Sequence, residues 1–194
     1  MKPRLQLKYE EEVRQALREK RRYENVHQVP KIEKIVINMG VRSELGKEAV
    51  DDAARDLALI TGRKPVVTRA RQSVANFKLR KGQATGCRVT LRRQTMYEFF
   101  DRLVATALPR IRDFRGVSPR KFDGRGNYSI GLADQTIFPE VELDKIKRQQ
   151  GMDITIVTSA RTNEEALELL KLMGMPFAEA KAKETAKEPE PQVS

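Results

Sequence analysis

The sequence predicts an α+β domain, an antiparallel-rich sheet with helices packed on one of its faces. Two observations carry that expectation. Stretches with an apolar residue at every second position are interspersed with stretches whose apolar residues recur every three or four, and no segment repeats another. The strand-like stretches also set Ile, Val and Leu on one side and Lys, Arg, Asn and Thr on the other. One sheet face is therefore apolar enough to carry helices, and the other is left free.

The elements follow in order. Arg4 to Arg22 reads as a helix, with Leu5, Tyr9, Val13, Ala16 and Leu17 on one stripe, and Pro30 stops any helix. Lys31 to Met39 is a strand, with Ile35, Ile37 and Met39 on one face and Lys34, Val36 and Asn38 on the other. Lys47 to Thr61 is an amphipathic helix facing inward through Val50, Ala54, Leu57 and Ile60, and Gly62 terminates it. Pro65 to Ala70 is a short strand, followed by a polar stretch from Arg71 to Gly86. Cys87 to Arg93 is the cleanest strand, with Cys87, Val89 and Leu91 alternating with Arg88, Thr90 and Arg92. Thr95 and Glu98 have capping-box spacing, and Met96, Phe99, Leu103 and Ala107 form the inner stripe of the helix that follows, up to Pro109. Arg110 to Asn127 is loop-rich, Tyr128 to Leu132 and Ile154 to Thr158 read as strands, and Thr162 with Glu165 opens a last helix ended by Gly174 and Pro176. Residues 1–177 are expected to form a single domain. Residues 178–194, rich in Ala, Lys, Glu and Pro, are expected to be a disordered tail.

Charge points to a partner. The net charge is +11. The tail carries three Lys and four Glu, a net −1, so the body carries +12. From Leu57 to Tyr97 there are ten Lys or Arg and no Asp or Glu. Such a stretch repels itself, and a polyanion relieves the repulsion; a solvated basic surface with no partner is the bland alternative. The free sheet face would carry Lys34, Asn38, Arg88, Thr90 and Arg92, and an exposed sheet face of that kind is a platform for RNA. Within Ser73 to Gly82, Phe77 stands among Lys78, Arg80 and Lys81, either to stack on a base or to anchor the loop in the core. With 6% aromatics and no Trp, recognition by shape and backbone is expected over stacking.

Other classes are weakly supported. No apolar run approaches the length of a bilayer span, and MKPRLQLKYEEE has no apolar signal region, so no membrane role is expected. Cys87 alone permits no internal disulfide and no cysteine-based zinc cluster, which fits the cytosol. No Walker A, dinucleotide or HExxH motif occurs. His27, the only histidine, reads as a surface residue. Cys87 reads as packing, although the positive field nearby could activate it. Neither an enzyme nor a cofactor is expected. An RNA-modifying enzyme and a general nucleic-acid chaperone remain the rival readings.

Several long stretches carry a resemblance. VPKIEKIVINMGV (Val29 to Val41), KPVVTRARQSVANFKLRKG (Lys64 to Gly82), GCRVTLR (Gly86 to Arg92), MYEFFDRL (Met96 to Leu103), LPRIRDFRG (Leu108 to Gly116), FDGRGNYSIG (Phe122 to Gly131) and GMDITIVTSARTNEEALELLKLMGMPF (Gly151 to Phe177) resemble, in order, the bacterial form of the large-subunit ribosomal protein five family. The resemblance implies a sheet face that binds 5S ribosomal RNA in the central protuberance, with Asn38, Thr68 and Thr90 at polar positions the family uses. With the basic residues around them, the expected ribosomal-RNA set is Lys34, Asn38, Thr68, Arg69, Arg71, Arg88, Thr90 and Arg92. The stretch Ala75, Asn76, Phe77, Lys78, Leu79, Arg80, Lys81 and Gly82 looks like the loop that reaches peptidyl-site transfer RNA. The region of Pro109, Arg110, Arg112, Asp113, Phe114 and Arg115, together with the stretch around Ile137 to Lys147, looks like the part that meets a small-subunit head protein. Large-subunit ribosomal RNA is a further expected partner.

Overall fold

In a computed structural model, the structure describes residues 2–142 and 146–178. Five strands, β1 Ile32–Gly40, β2 Val66–Arg69, β3 Ala84–Leu91, β4 Tyr128–Leu132 and β5 Met152–Thr158, form one antiparallel sheet in the order β2-β3-β1-β5-β4. The α+β expectation holds. Strand β3 begins three residues before the predicted Cys87, so Ala84 to Gly86 belong to the sheet and not to the preceding loop.

Register stacks the apolar residues in rows. Ile35 faces Leu91 and Ile156, Ile37 faces Val89 and Ile154, and Met39 faces Cys87. Tyr128, Ile130 and Leu132 extend these rows on β4. All are buried. Each large aliphatic or aromatic side chain fully buried in this way contributes about 1.5–3 kcal/mol relative to exposure. The helices cover only this face. Helix α3 (Gly46–Thr61) packs on β3 and β2, and α4 (Arg93–Arg102) packs on β1 and on α1 (Arg4–Lys8). Helix α5 (Asn163–Leu172) contributes Leu169 and Leu170 to the same core.

The amino-terminal helix is interrupted by a π turn, Tyr9–Val13, before α2 (Arg14–Arg21). Leu5, Tyr9, Val13 and Leu17 are spaced by four. In an unbroken α-helix each such step drifts by about 40°, and the wider π turn absorbs the drift. The buried seam is consequently one residue wide, and Ala16, expected on the inner stripe, is exposed. In α3, likewise, Ala53 and not Ala54 takes the fully buried place between Val50 and Leu57. Gly62 terminates α3 in the left-handed conformation, as read from sequence.

One predicted capping box fails and one forms. Helix α4 starts at Arg93, two residues before Thr95, so the Thr95 hydroxyl lies inside the first turn and donates to the Arg92 carbonyl (3.0 Å). Thr162 does cap α5, accepting from the Glu165 N–H (3.3 Å), while the Glu165 carboxylate accepts from the Arg161 N–H (2.9 Å) and the Tyr23 hydroxyl (2.9 Å). Of the expected disordered tail, only Ala178 falls within the described residues; 179–194 lie outside them.

Candidate nucleic-acid interface

The helix-free face follows from strand alternation. Residues one step out of phase with the core rows point away from the helices. Across the sheet they form a row of Val66, Arg88, Asn38, Asp153 and Gly131, and beside it a row of Thr90, Val36, Thr155 and Ser129. Lys34 pairs with Val157 on the same face, next to Arg92 just past the end of β3. Thr68 pairs with Gly86 at the other end. The Ser129 N–H donates to the Lys121 carbonyl (3.1 Å), and the neighbouring Phe122 bridges Tyr128, which brings Lys121 alongside Ser129. Lys34, Asn38, Thr68, Arg88, Thr90 and Arg92 are thus gathered on one surface.

Arg69 is not on that surface. Arg69 follows Thr68 after a register shift and lies beside Lys47 and Asp51, towards α3, where its guanidinium donates to the Gly82 carbonyl (3.1 Å). Arg71 is exposed beyond the end of β2. Sequence reading missed Thr155, Ser129, Lys121 and Asp153. The signal for Thr155 and Asp153 was present, because they alternate with Met152, Ile154 and Ile156. Lys121 is brought in only by the turn at Asp123 to Asn127. There the Asp123 carboxylate accepts from the Asn127 side-chain amide (2.6 Å) and from the Arg125 N–H (2.8 Å). These hydrogen bonds hold it below the usual carboxylate range.

The open face carries its charges unpaired. Among the described residues Lys34, Arg88, Arg92, Asn38, Thr90 and Asp153 have no side-chain hydrogen bond or ion pair within the protein. On the helical side, by contrast, Arg4 reaches Asp101 (2.6 Å), Arg21 reaches Glu168 (3.0 Å) and Arg102 reaches Glu140.

The segment between β2 and β3 is a basic hairpin arm at one edge of the sheet. Ala70 and Gln83 close its base (N–H to carbonyl, 2.8 Å), and Val74 and Leu79 pair in both directions (3.0 and 3.1 Å). Its tip is a single helical turn, Ala75–Phe77, closed by Lys78 in the left-handed conformation at φ 50°. The Arg80 N–H bonds Gln83 and the Lys81 N–H bonds Ser73, so the backbone is held while both cations face solvent. Lys78 pairs with Glu44 (2.8 Å). Phe77 is 68% exposed, so it is not a core anchor. Gly82, at φ +84°, makes a turn an L side chain rarely adopts. At Gly86 a Cβ would run into the Met39 carbonyl oxygen, so its role is close strand approach.

The other edge, beside β4, carries the loop containing Pro109, Arg110, Arg112, Asp113, Phe114 and Arg115. All are exposed except Phe114, which packs against the core. Its base is clamped by residues 176–178, through the Val117 N–H to the Pro176 carbonyl (2.8 Å) and the Ala178 N–H to the Val117 carbonyl (2.9 Å). Of the stretch Ile137 to Lys147, residues 143–145 lie outside the described residues.

Reactive chemistry does not assemble. Burial, and then the charge of Asp56, push the Cys87 thiol up to about 11, which overturns activation by the positive field. His27 is exposed. Among the described residues no cluster of His, Cys, Asp or Glu is placed to hold a metal ion, and no helix is long and apolar enough to cross a membrane.

Fold and surface define a class: an α+β protein with helices on one face of its sheet and a cationic, hydroxyl-bearing face left open on the other. Comparison with known proteins narrows it. Residues 25–80 match the family described as ribosomal protein L5, and residues 84–177 match the ribosomal L5P family C-terminus. The chain is 59% identical over 179 residues to large ribosomal subunit protein uL5 of Clostridium botulinum strain Loch Maree, covering 92% of this chain and 99% of that protein. It is 59% identical over 177 residues to the uL5 protein of Clostridium perfringens strain SM101, covering 91% and 99%. The chain belongs to the uL5 family of large ribosomal subunit proteins. The two family matches meet at the hairpin arm, yet their strands interleave: β3 of the second half lies between β2 and β1 of the first.

Proposed function

We propose that this protein holds 5S ribosomal RNA on the open face of its sheet. Family membership makes it a non-enzymatic, RNA-binding constituent of the large ribosomal subunit in translation, with ribosomal RNA as its partner. The observation that carries the finer reading is the unpaired open face, where Lys34, Asn38, Thr68, Arg88, Thr90 and Arg92 converge without internal partners. Cations neutralise phosphates and release counterions, while Asn and Thr reach ribose hydroxyls or base edges. Arg71, beyond the end of β2, and Arg69, round the sheet edge, would act as flanking phosphate contacts.

The arm with Ala75, Asn76, Phe77, Lys78, Leu79, Arg80, Lys81 and Gly82 serves peptidyl-site transfer RNA in this reading. Its support is a held backbone that presents Arg80 and Lys81 outward at the sheet edge. The loop with Pro109, Arg110, Arg112, Asp113, Phe114 and Arg115, at the opposite edge, serves the contact with a small-subunit head protein. The test is competitive binding of 5S RNA against transfer RNA and duplex DNA at two salt concentrations. Preference for 5S RNA by orders of magnitude is expected. Equal affinity for nucleic acids of equal charge would indicate a general nucleic-acid chaperone instead.

A further inference from the structure

One residue on the open face has the wrong charge for a phosphate-binding surface. Asp153 is exposed, lies in the row with Arg88 and Asn38, and has no hydrogen-bond or ion-pair partner among the described residues. A carboxylate repels phosphate, and it only accepts hydrogen bonds. It fits a bound RNA only where the RNA offers N–H or O–H donors. The surroundings leave room for such a group. On the β4 side its register partner is Gly131, where an added Cβ would meet nothing within 4 Å except Asp153 Oδ1 at 3.4 Å. On the β1 side its register partner is Asn38, whose amide both donates and accepts.

We propose that Asp153 and Asn38 together read the Watson–Crick edge of an unpaired guanine in the bound RNA. Guanine presents two adjacent donors, N1–H and the 2-amino group, which match the two oxygens of one carboxylate, and an acceptor, O6, which the Asn38 amide can meet. Directly opposed residues on neighbouring strands stand about 5 Å apart at Cβ, close enough for both to reach one base. Cytosine and adenine offer one amino group beside a ring acceptor that faces the carboxylate unfavourably, and uracil offers a single ring N–H between two carbonyls. The inference rests on the open face being the RNA-binding face.

The test is Asp153→Asn, which keeps the shape, removes the charge and replaces one acceptor oxygen with a donor amide. Its affinities for a 5S RNA transcript and for transfer RNA are measured beside those of wild type and of Arg88→Ala, with thermal unfolding as the check on folding. Losing a charge-assisted pair of hydrogen bonds should weaken 5S RNA binding roughly tenfold. Transfer RNA binding should tighten slightly, because one repulsive charge is gone. Kethoxal, which modifies the N1 and N2 positions of unpaired guanine, supplies the second readout. Wild-type protein should protect a guanine of 5S RNA that Asp153→Asn leaves reactive. If Asp153→Asn tightens both RNAs, or protects the same guanines as wild type, Asp153 only repels phosphate and the proposal fails while the sheet face stands. If Arg88→Ala also leaves 5S RNA binding unchanged, the sheet face itself is wrong and both readings fall.

Discussion

The two sides of this sheet both carry arginine and lysine, but they use the charge differently. On the helical side the cations are partnered: Arg4 with Asp101, Arg21 with Glu168 and Glu164, Arg102 with Glu140, Lys147 with Asp52. These pairs tie neighbouring elements together, as Arg21 does between α2 and α5. On the open face Lys34, Arg88 and Arg92 have no acidic partner among the described residues. Unpaired cations on one surface repel each other, and among the described residues Asp153 is the one carboxylate in their rows. The same residue type therefore acts as a structural tie on one side and stands without a partner on the other. What separates the two is the supply of nearby carboxylates, which the sequence withholds from Leu57 to Tyr97.

The sharpest way to break this comparison is to put a charge on the wrong side. Leu91 is buried beneath the helices while its neighbour Thr90 is exposed on the open face. Leu91→Asp should unfold the protein, because a buried unpaired carboxylate costs several kcal/mol, which is roughly the whole stability of a domain this size. Circular dichroism with thermal unfolding reads this directly. A cooperative transition at the wild-type temperature would mean the faces are reversed.

Removing charge from each side in turn should give opposite results. With about four to six phosphates neutralised, log K for 5S RNA should fall with log salt at a slope of roughly −3 to −5. Replacing Lys34, Arg88 and Arg92 together with Gln should make that slope shallower by about 2–3 and leave thermal stability near wild type. Replacing Arg4, Arg21 and Arg102 with Gln should do the reverse, leaving the slope unchanged and lowering the unfolding temperature by a few degrees at most. Equal effects on the slope from both triples would erase the distinction.

The arm tests whether the open face is the whole 5S site. Lys78→Ala, Arg80→Ala and Lys81→Ala combined should leave 5S RNA binding close to wild type, while ribosomes carrying the triple variant hold peptidyl-site transfer RNA less tightly. Loss of 5S RNA with unchanged transfer RNA occupancy would reassign the arm. A finer probe of the face is Thr90→Val, which keeps shape and strand propensity but loses a hydroxyl. Binding should weaken several-fold, as expected for one hydrogen bond of about 1 kcal/mol, with no change in unfolding temperature.

The smallest effect concerns acid. Hydrogen bonds from Arg21 and Lys20 hold Glu168 below the usual carboxylate range. Glu165 is also lowered: burial opposes its ionisation, but hydrogen bonds from the Arg161 N–H and the Tyr23 hydroxyl outweigh it. A carboxylate lowered in the folded state contributes stability above its unfolded value, near about 4.3, and loses it as pH falls through the folded value. Unfolding temperature should therefore drop below about pH 4, and by less in Glu168→Gln than in wild type. No difference between the two would remove these ion pairs from the account of the helical side.

The sequence by itself determined the alternation that separates the faces. Ile35, Ile37 and Met39 against Lys34 and Asn38, and Val89 and Leu91 against Arg88 and Thr90, are legible because strand side chains have a fixed period of two. It also determined the acid-free stretch and the Gly62 stop, which are local properties. Other features depended on partners distant in the chain. The π turn that leaves Ala16 exposed follows from packing the amino-terminal helix on its neighbours, which holds Leu5, Tyr9, Val13 and Leu17 in one seam where an ordinary helix would let them drift. The failed cap at Thr95 arose because α4 begins at Arg93, and helix starts are set by the chain that enters them as much as by the cap residue. Arg69 could not share a face with Thr68, since adjacent strand residues point to opposite sides; what the tertiary structure added is the register shift that sets it opposite Ala84. That Thr155, Ser129, Lys121 and Asp153 share a surface with Arg88 was decided only by strand order, because β5 joins that face by pairing with β1 from more than a hundred residues away, and β4 joins it by pairing with β5. Local periodicity tells each strand which side is apolar; only the tertiary fold decides which strands lie side by side, and so which polar groups share one surface.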